Sequence, residues 1–188
     1  MALRGLLAVL AGFLSGSLMF SMWLARLAGG DVRRVGDGNP GAVNAFRAAG
    51  PVVGSAALLL DFLKGWVPVA AAYWLFGIRG WWLAAAMVAP VLGHAFSPLL
   101  RLRGGKAIAV TFGVWSGVTL WEAPCLLGGV LALCKLVFRL RDDWSILVAL
   151  IFLLAYVLWR RPEPALVVAW TVNAAVVALK HRSPQPSP

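Results

Sequence analysis

The sequence predicts an all-α, polytopic membrane protein with seven transmembrane helices, the N-terminus outside and the C-terminus cytoplasmic. Three observations carry this: the composition, the lengths of the charge-free intervals, and the side on which basic residues fall. Of 188 residues, 61% are hydrophobic, 13% are charged and 10 are tryptophan. The mean hydropathy of +0.84 excludes an ordinary soluble domain. A net charge of +10 would be compatible with nucleic acid, but the basic residues sit between apolar spans and not on one continuous face, so no nucleic-acid role is expected.

Taken in order, Gly5 to Ala25 and Gly80 to Leu100 are each long enough to cross a hydrocarbon core of roughly 30 Å at about 1.5 Å per residue. Between them Val52 to Phe76 is a further long apolar run, broken only by Asp61 and Lys64. Later intervals are shorter than the usual ~20 residues: Ala107 to Trp121, Ala123 to Cys134, Trp144 to Trp159 and Pro164 to Leu179. They need the snorkelling flanks Lys135, Arg139, Arg160 and Lys180, or a thin bilayer.

Charge decides whether residues 107–138 make two spans or one. With two, joined by the outer turn Trp121-Glu122-Ala123-Pro124, the cytoplasmic side gathers Arg26, Arg33, Arg34, Arg47, Arg101, Arg103, Lys106, Lys135, Arg139, Arg141, Lys180 and Arg182. Arg4, Arg79, Arg160 and Arg161 remain outside. Fusing them erases most of this asymmetry, so seven spans are expected. The first span lacks a small-residue cleavage site followed by a soluble domain, so it is expected to be retained. Residues 1–182 read as a single transmembrane domain and the Pro/Ser-rich residues 183–188 as a disordered tail. Cys125 and Cys134 lie in apolar sequence without metal-ligand spacing and read as core residues. No metal site, disulfide framework or cofactor is indicated.

Three polar elements fall on the cytoplasmic side. The first is the glycine-punctuated loop Gly36 to Arg47, with Asn39, Asn44 and the bidentate-capable Arg47. The second is Arg101-Leu102-Arg103-Gly104-Gly105-Lys106, where two glycines, a lysine and the N-terminus of a helix starting at Ala107 supply the parts of an anion site. The third is Lys180-His181-Arg182. Each also has a plainer reading as a capping turn or a topology-setting charge that touches lipid phosphate. The nucleotide-binding pattern GxxxxGK[ST] fails, since Leu100 stands at its first glycine and Ala107 at its hydroxyl residue. Asp61 and Lys64 share a helical face, which fits either a functional ionisable pair or a self-neutralising structural one. His94 suits an acid, a base, a hydrogen-bond donor or a packed interfacial residue.

In order along the chain, GDGNPGAVNAFR, Asp61-Phe62-Leu63-Lys64-Gly65, Gly93-His94-Ala95-Phe96 and Arg103-Gly104-Gly105-Lys106 resemble the bacterial PlsY family of membrane glycerol-3-phosphate acyltransferases. In that family the corresponding motifs read GSGNxGATNxxR, DxxKG and GHxFPxFLxFxGGKGVAT. The resemblance runs in register from Ser15 to about Val110. It implies a seven-helix membrane enzyme that moves an acyl chain from acyl phosphate to the sn-1 hydroxyl of glycerol 3-phosphate, forming lysophosphatidic acid at a membrane lipid surface. By the same resemblance Arg47 and Lys106 grip phosphate and His181 lies near the substrate, as catalytic residues. Asn39 and Asn44 shape the loop, Gly104 and Gly105 give backbone donors, and Asp37 and His94 complete the binding positions. Direct attack needs no acyl-enzyme, and the chain has no GxSxG element.

Several positions depart from the family pattern. Asp37 replaces a serine and needs protonation or a partner such as Arg33 or Arg34. Val43 replaces a threonine, Ala107 a glycine, and Val110 a threonine for which the adjacent Thr111 is a stand-in. Ser97 replaces a proline, only Arg139 or Arg141 before Ser145 matches the Ser-Arg element, and the family's C-terminal asparagine and Gly-x-Glu are missing. The alternatives are a noncatalytic lipid- or phosphate-binding paralogue that regulates a true acyltransferase, and a small transporter using Asp61 and Lys64. The sequence indicates no oligomeric state.

Overall fold

The computed structural model describes residues 1–182 and contains no strand among them. The proposed tail, 183–188, lies outside the described residues. Eight α-helices follow one another: α1 (Ala2–Ser17), α2 (Phe20–Leu27), α3 (Ala42–Ala70), α4 (Gly80–Ala95), α5 (Ile108–Thr119), α6 (Glu122–Leu136), α7 (Asp142–Arg160) and α8 (Pro164–Arg182). Five segments are long and apolar enough to cross a membrane: Ala2–Leu27, Ala42–Leu75, Gly80–Leu100, Asp142–Arg160 and Pro164–His181. Helices α5 and α6, of 12 and 15 residues, are shorter, and they are separate helices divided at Leu120 and Trp121.

The first expected span is not continuous. It breaks at Leu18, whose backbone is extended (φ −66°, ψ 130°), with no proline or glycine at the break. Irregular backbone at membrane depth survives only where its polar groups find partners inside the protein. Here Ser97 Oγ donates to Ser17 O at 2.7 Å and Lys64 Nζ donates to Leu18 O at 2.5 Å. Both donors come from elsewhere in the bundle, so no local signal marks the break.

The second expected span begins earlier than Val52. Helix runs from Ala42, kinks at Gly50 (φ 83°, ψ 179°) and resumes at Pro51. Glycine takes the left-handed φ without a Cβ penalty, and proline is well placed at the first position of the helix it restarts. Asn44 and Arg47 therefore sit on a short helix ahead of the kink and not in the expected loop. The far end closes through a π-helical turn, Ala71–Leu75.

Small residues set the packing. A Cβ on Gly16 would strike the Pro90 carbonyl, and one on Gly93 would strike the Phe13 carbonyl, so α1 and α4 approach backbone to backbone. Helices α3 and α5 do the same, through Gly113 against the Phe62 carbonyl and Gly65 against Val110 O. Within a bilayer, where apolar helix faces gain little from leaving lipid, such close contact is a main source of association. Helix α8 is tied to α5 by a buried chain in which Trp115 Nε1 donates to Asn173 Oδ1 (3.0 Å) and Asn173 Nδ2 donates to Thr111 Oγ1 (2.8 Å). Thr111 is thus committed to this buried chain.

Candidate functional site

The residues singled out in the sequence meet around one open cavity of about 740 Å³. Its polar wall comes from the 36–41 turn, the start of α3, the start of α5 and the end of α8: Asp37, Asn39, Asn44, Arg47, Lys106 and His181. His94 also borders it. Its apolar lining comes from Leu58, Leu59 and Phe62 of α3, Phe112 of α5, Leu131 of α6 and Ile146 of α7. A small apolar void of about 20 Å³ shares Phe112, Leu131 and Ile146 with it and continues toward Leu127 and Leu150.

A relay of polar contacts fixes the polar wall. Asn44, 2% exposed, uses both amide hydrogens, donating from Nδ2 to Asp37 Oδ1 (2.8 Å) and to Asn39 O (3.0 Å). Its Oδ1 accepts from Arg47 Nη1 at 3.2 Å. The amide orientation is therefore determined, and Asn44 acts as the bolt that ties the turn to the helix. Asn39 adds a backbone N–H to Asp37 Oδ1 at 3.2 Å, while its own Oδ1 is buried with no hydrogen-bond partner.

Asp37 does not pair with Arg33 or Arg34. Arg34 turns to Asp31 at 3.5 Å, and Asp37 Oδ2 meets Lys106 Nζ at 2.7 Å. Partial burial pushes the Asp37 carboxyl up, but bonds from Lys106, Asn44 and the Asn39 backbone together outweigh it and bring it down to about 2. It is ionised at neutral pH, which answers how a carboxylate is tolerated here.

The two glycines before Lys106 pack against the end of α4. The Gly105 N–H donates to His94 O at 3.1 Å and so turns toward protein. A Cβ on Gly104 would strike the His94 carbonyl, and one on Gly105 would strike the His94 ring. The pair is small because the loop lies against the end of α4, which holds Lys106 at the cavity. Ala107 follows with φ 61°, the left-handed region, and the helix starts one residue later than expected, at Ile108. First-turn N–H groups have no acceptor within their own helix, so the starts of α3 and α5 both bring a positive dipole end to the same cavity.

His181 Nδ1 lies 2.7 Å from Val177 O. A carbonyl only accepts, so Nδ1 carries the hydrogen and Nε2 is left for a ligand. His94 is 3% exposed and its Nδ1 has no partner. Lys180 is directed elsewhere, over the Phe96 ring at 4.8 Å, and Arg101 and Arg103 are exposed without lining the cavity. Lys135, Asp142 and Ser145 also border the cavity and were not expected there as a group. Lys135 pairs with Asp142 and donates to Leu140 O at 3.0 Å, so it is more than a snorkelling flank. No sequence pattern links these three, because only the α6–α7 turn brings them together.

Asp61 and Lys64 form a buried ion pair, 2.7 Å apart, with side chains 2% and 1% exposed, and Asp61 also borders the cavity. Cys134 is buried as expected, whereas Cys125 is exposed. Among the described residues no cluster of three His, Cys, Asp or Glu is placed to hold a metal ion.

Residues 6–185 match a family model described as glycerol-3-phosphate acyltransferase. The chain is 40% identical over 183 residues to glycerol-3-phosphate acyltransferase 1 of Thermotoga maritima, covering 90% of each protein. It is 35% identical over 182 residues to the protein of that name from Deinococcus radiodurans, covering 87% of this chain and 91% of that one. Its fold matches a crystal structure of PlsY, an integral membrane glycerol 3-phosphate acyltransferase, in the glycerol 3-phosphate form, with TM-score 0.87 and 31% identity over 95% of this chain and 88% of that one. The lysophosphatidic acid form matches with TM-score 0.85, 29% identity and the same coverage.

Proposed function

The chain belongs to the glycerol-3-phosphate acyltransferase family, and from that premise we propose that it acylates glycerol 3-phosphate in phospholipid synthesis, with acyl phosphate as donor. The observation that carries this is that one cavity is lined both by cationic and amide side chains and by apolar ones. A phosphate needs charge and directed donors, and an acyl chain needs apolar surface. Both reactants meet that way at a membrane boundary.

In the reaction the sn-1 hydroxyl oxygen attacks the carbonyl carbon of acyl phosphate. An ester C–O bond forms, the carbonyl carbon–phosphate oxygen bond breaks, and inorganic phosphate leaves with the bonding electrons. The hydroxyl proton passes to a phosphate oxygen of the reactants. Lys106 and Arg47 stabilise the phosphate charge that grows as the bond breaks, and preorganised charges of this kind contribute most where water is excluded. His181 offers Nε2, Asn39 and Asn44 hold the turn, and the α3 and α5 N-termini add field of the same sign. Leu58, Leu59, Phe62 and Phe112 take the acyl chain.

The site would lie on the cytoplasmic face of a bacterial inner membrane, with seven crossings and the N-terminus outside. The placement of Arg47, Lys106, Lys135 and His181 around one cavity supports this, since it puts the basic loops on one side. The experiment is lysophosphatidic acid formation by purified protein in detergent, with acyl phosphate and radiolabelled glycerol 3-phosphate, beside Lys106→Ala. Product that falls by about 10²–10³ in the variant is expected. No product from folded wild-type protein would sink the proposal.

A further inference from the structure

Lys106 and Asp37 both face the cavity, with side chains 23% and 47% exposed, and their charged atoms are 2.7 Å apart. The two partners are held very differently. Asp37 is fixed from behind, its other oxygen accepting from Asn44 Nδ2 and the Asn39 N–H. Lys106 reaches it on a flexible four-carbon stem that swings easily. Arg47, by contrast, donates to the neutral Asn44 amide. Of the two cations offered to phosphate, Lys106 is therefore already matched by an anion whose oxygens present the same demand as a phosphate oxygen.

We propose that Asp37 is an internal counter-anion which substrate phosphate displaces from Lys106 and which reclaims Lys106 to expel the phosphate released by the reaction. This deepens the acyltransferase reading and rests on it. Binding at Lys106 becomes an exchange of one ion pair for another, and it leaves Asp37 beside a phosphate of like charge. An exposed pair of this kind weakens phosphate affinity by about twofold to fivefold. That is enough to keep inorganic phosphate from lodging in the site while esters, which gain further contacts along the cavity, still bind. A serine at position 37 would offer a hydrogen bond without the competing charge.

The test uses the full chain in detergent. Asp37→Asn removes the charge and keeps an acceptor for Asn44 and Asn39, and Asp37→Ser serves as the second variant. The inhibition constant of inorganic phosphate and the KM for glycerol 3-phosphate should both fall about twofold to fivefold in each variant. Thermal stabilisation by inorganic phosphate should become larger than in wild type. Unchanged or weaker phosphate binding in both variants would overturn the proposal, and so would a collapse of kcat at constant KM, which would place Asp37 in the chemistry. If wild type makes no lysophosphatidic acid, the acyltransferase reading fails by itself. The phosphate stabilisation of the variants against wild type then still decides the role of Asp37.

Discussion

Lys64→Met should be among the most damaging single changes outside the cavity, and the structure fixes how damaging. Lys64 Nζ lies 2.7 Å from Asp61 and 2.5 Å from the Leu18 carbonyl, in a pair whose side chains are 1% and 2% exposed. Removing the ammonium leaves the buried Asp61 with one hydrogen-bond donor, Ser21 Oγ at 2.5 Å, and strands the carbonyl freed by the helix break. Breaking a buried pair from one side costs about 3–5 kcal/mol. For a chain of this size each kcal/mol is worth about 2–4 °C, so the midpoint should fall by roughly 6–20 °C. The double variant Asp61→Asn with Lys64→Met, which buries no charge, should recover much of the loss. Thermal unfolding in detergent, followed by tryptophan fluorescence, measures both. A single variant within about 4 °C of wild type, or a double variant no better than the single, would refute the reasoning.

Three further outcomes are expected. Asn173→Leu strands the Trp115 indole N–H and the Thr111 hydroxyl in the core and should cost about 2–4 kcal/mol, read as a lower unfolding midpoint. Ala107→Val places a β-branched residue at φ 61° and should cost roughly 1–3 kcal/mol, with a higher KM because Lys106 is its neighbour. Asp37 gives a pH dependence. Its carboxyl is depressed from 3.8 to about 2, so its contribution is present above pH 3.8 and is lost as pH falls through about 2. Because the side chain is 47% exposed, that contribution is under about 1 kcal/mol. The stability gap between wild type and Asp37→Asn should close over the same window in acid unfolding curves.

Much of the site was legible because its residues are chemically conspicuous in an apolar chain. Asn39, Asn44, Arg47 and Lys106 stand out against lipid-grade sequence, and the order of four separated motifs pointed to the family. The roles assigned to particular atoms were less legible. That Gly104 and Gly105 must also be small, because His94 and Ala95 lie against them, has no local signal in the sequence. Thr111 reads as a stand-in for the family threonine at position 110, yet Asn173, 62 residues away, claims its hydroxyl. Asp37 looked misplaced until Lys106 was found opposite.

What the sequence by itself determined is whatever depends on local composition: a helical membrane chain, the apolar segments, and the basic, glycine-bearing connections between them. These follow from transfer free energies and helix periodicity, which act residue by residue. What only the tertiary structure decided is whatever depends on a partner distant in the chain. The break at Leu18 exists because Lys64 and Ser97 satisfy the carbonyls it frees. Lys135, Asp142 and Ser145 join the cavity because α6 and α7 fold back beside it. Asp37 is ionised at the cavity because Lys106 arrives from a loop nearly 70 residues on, and an ion pair has no signature until both charges share one place.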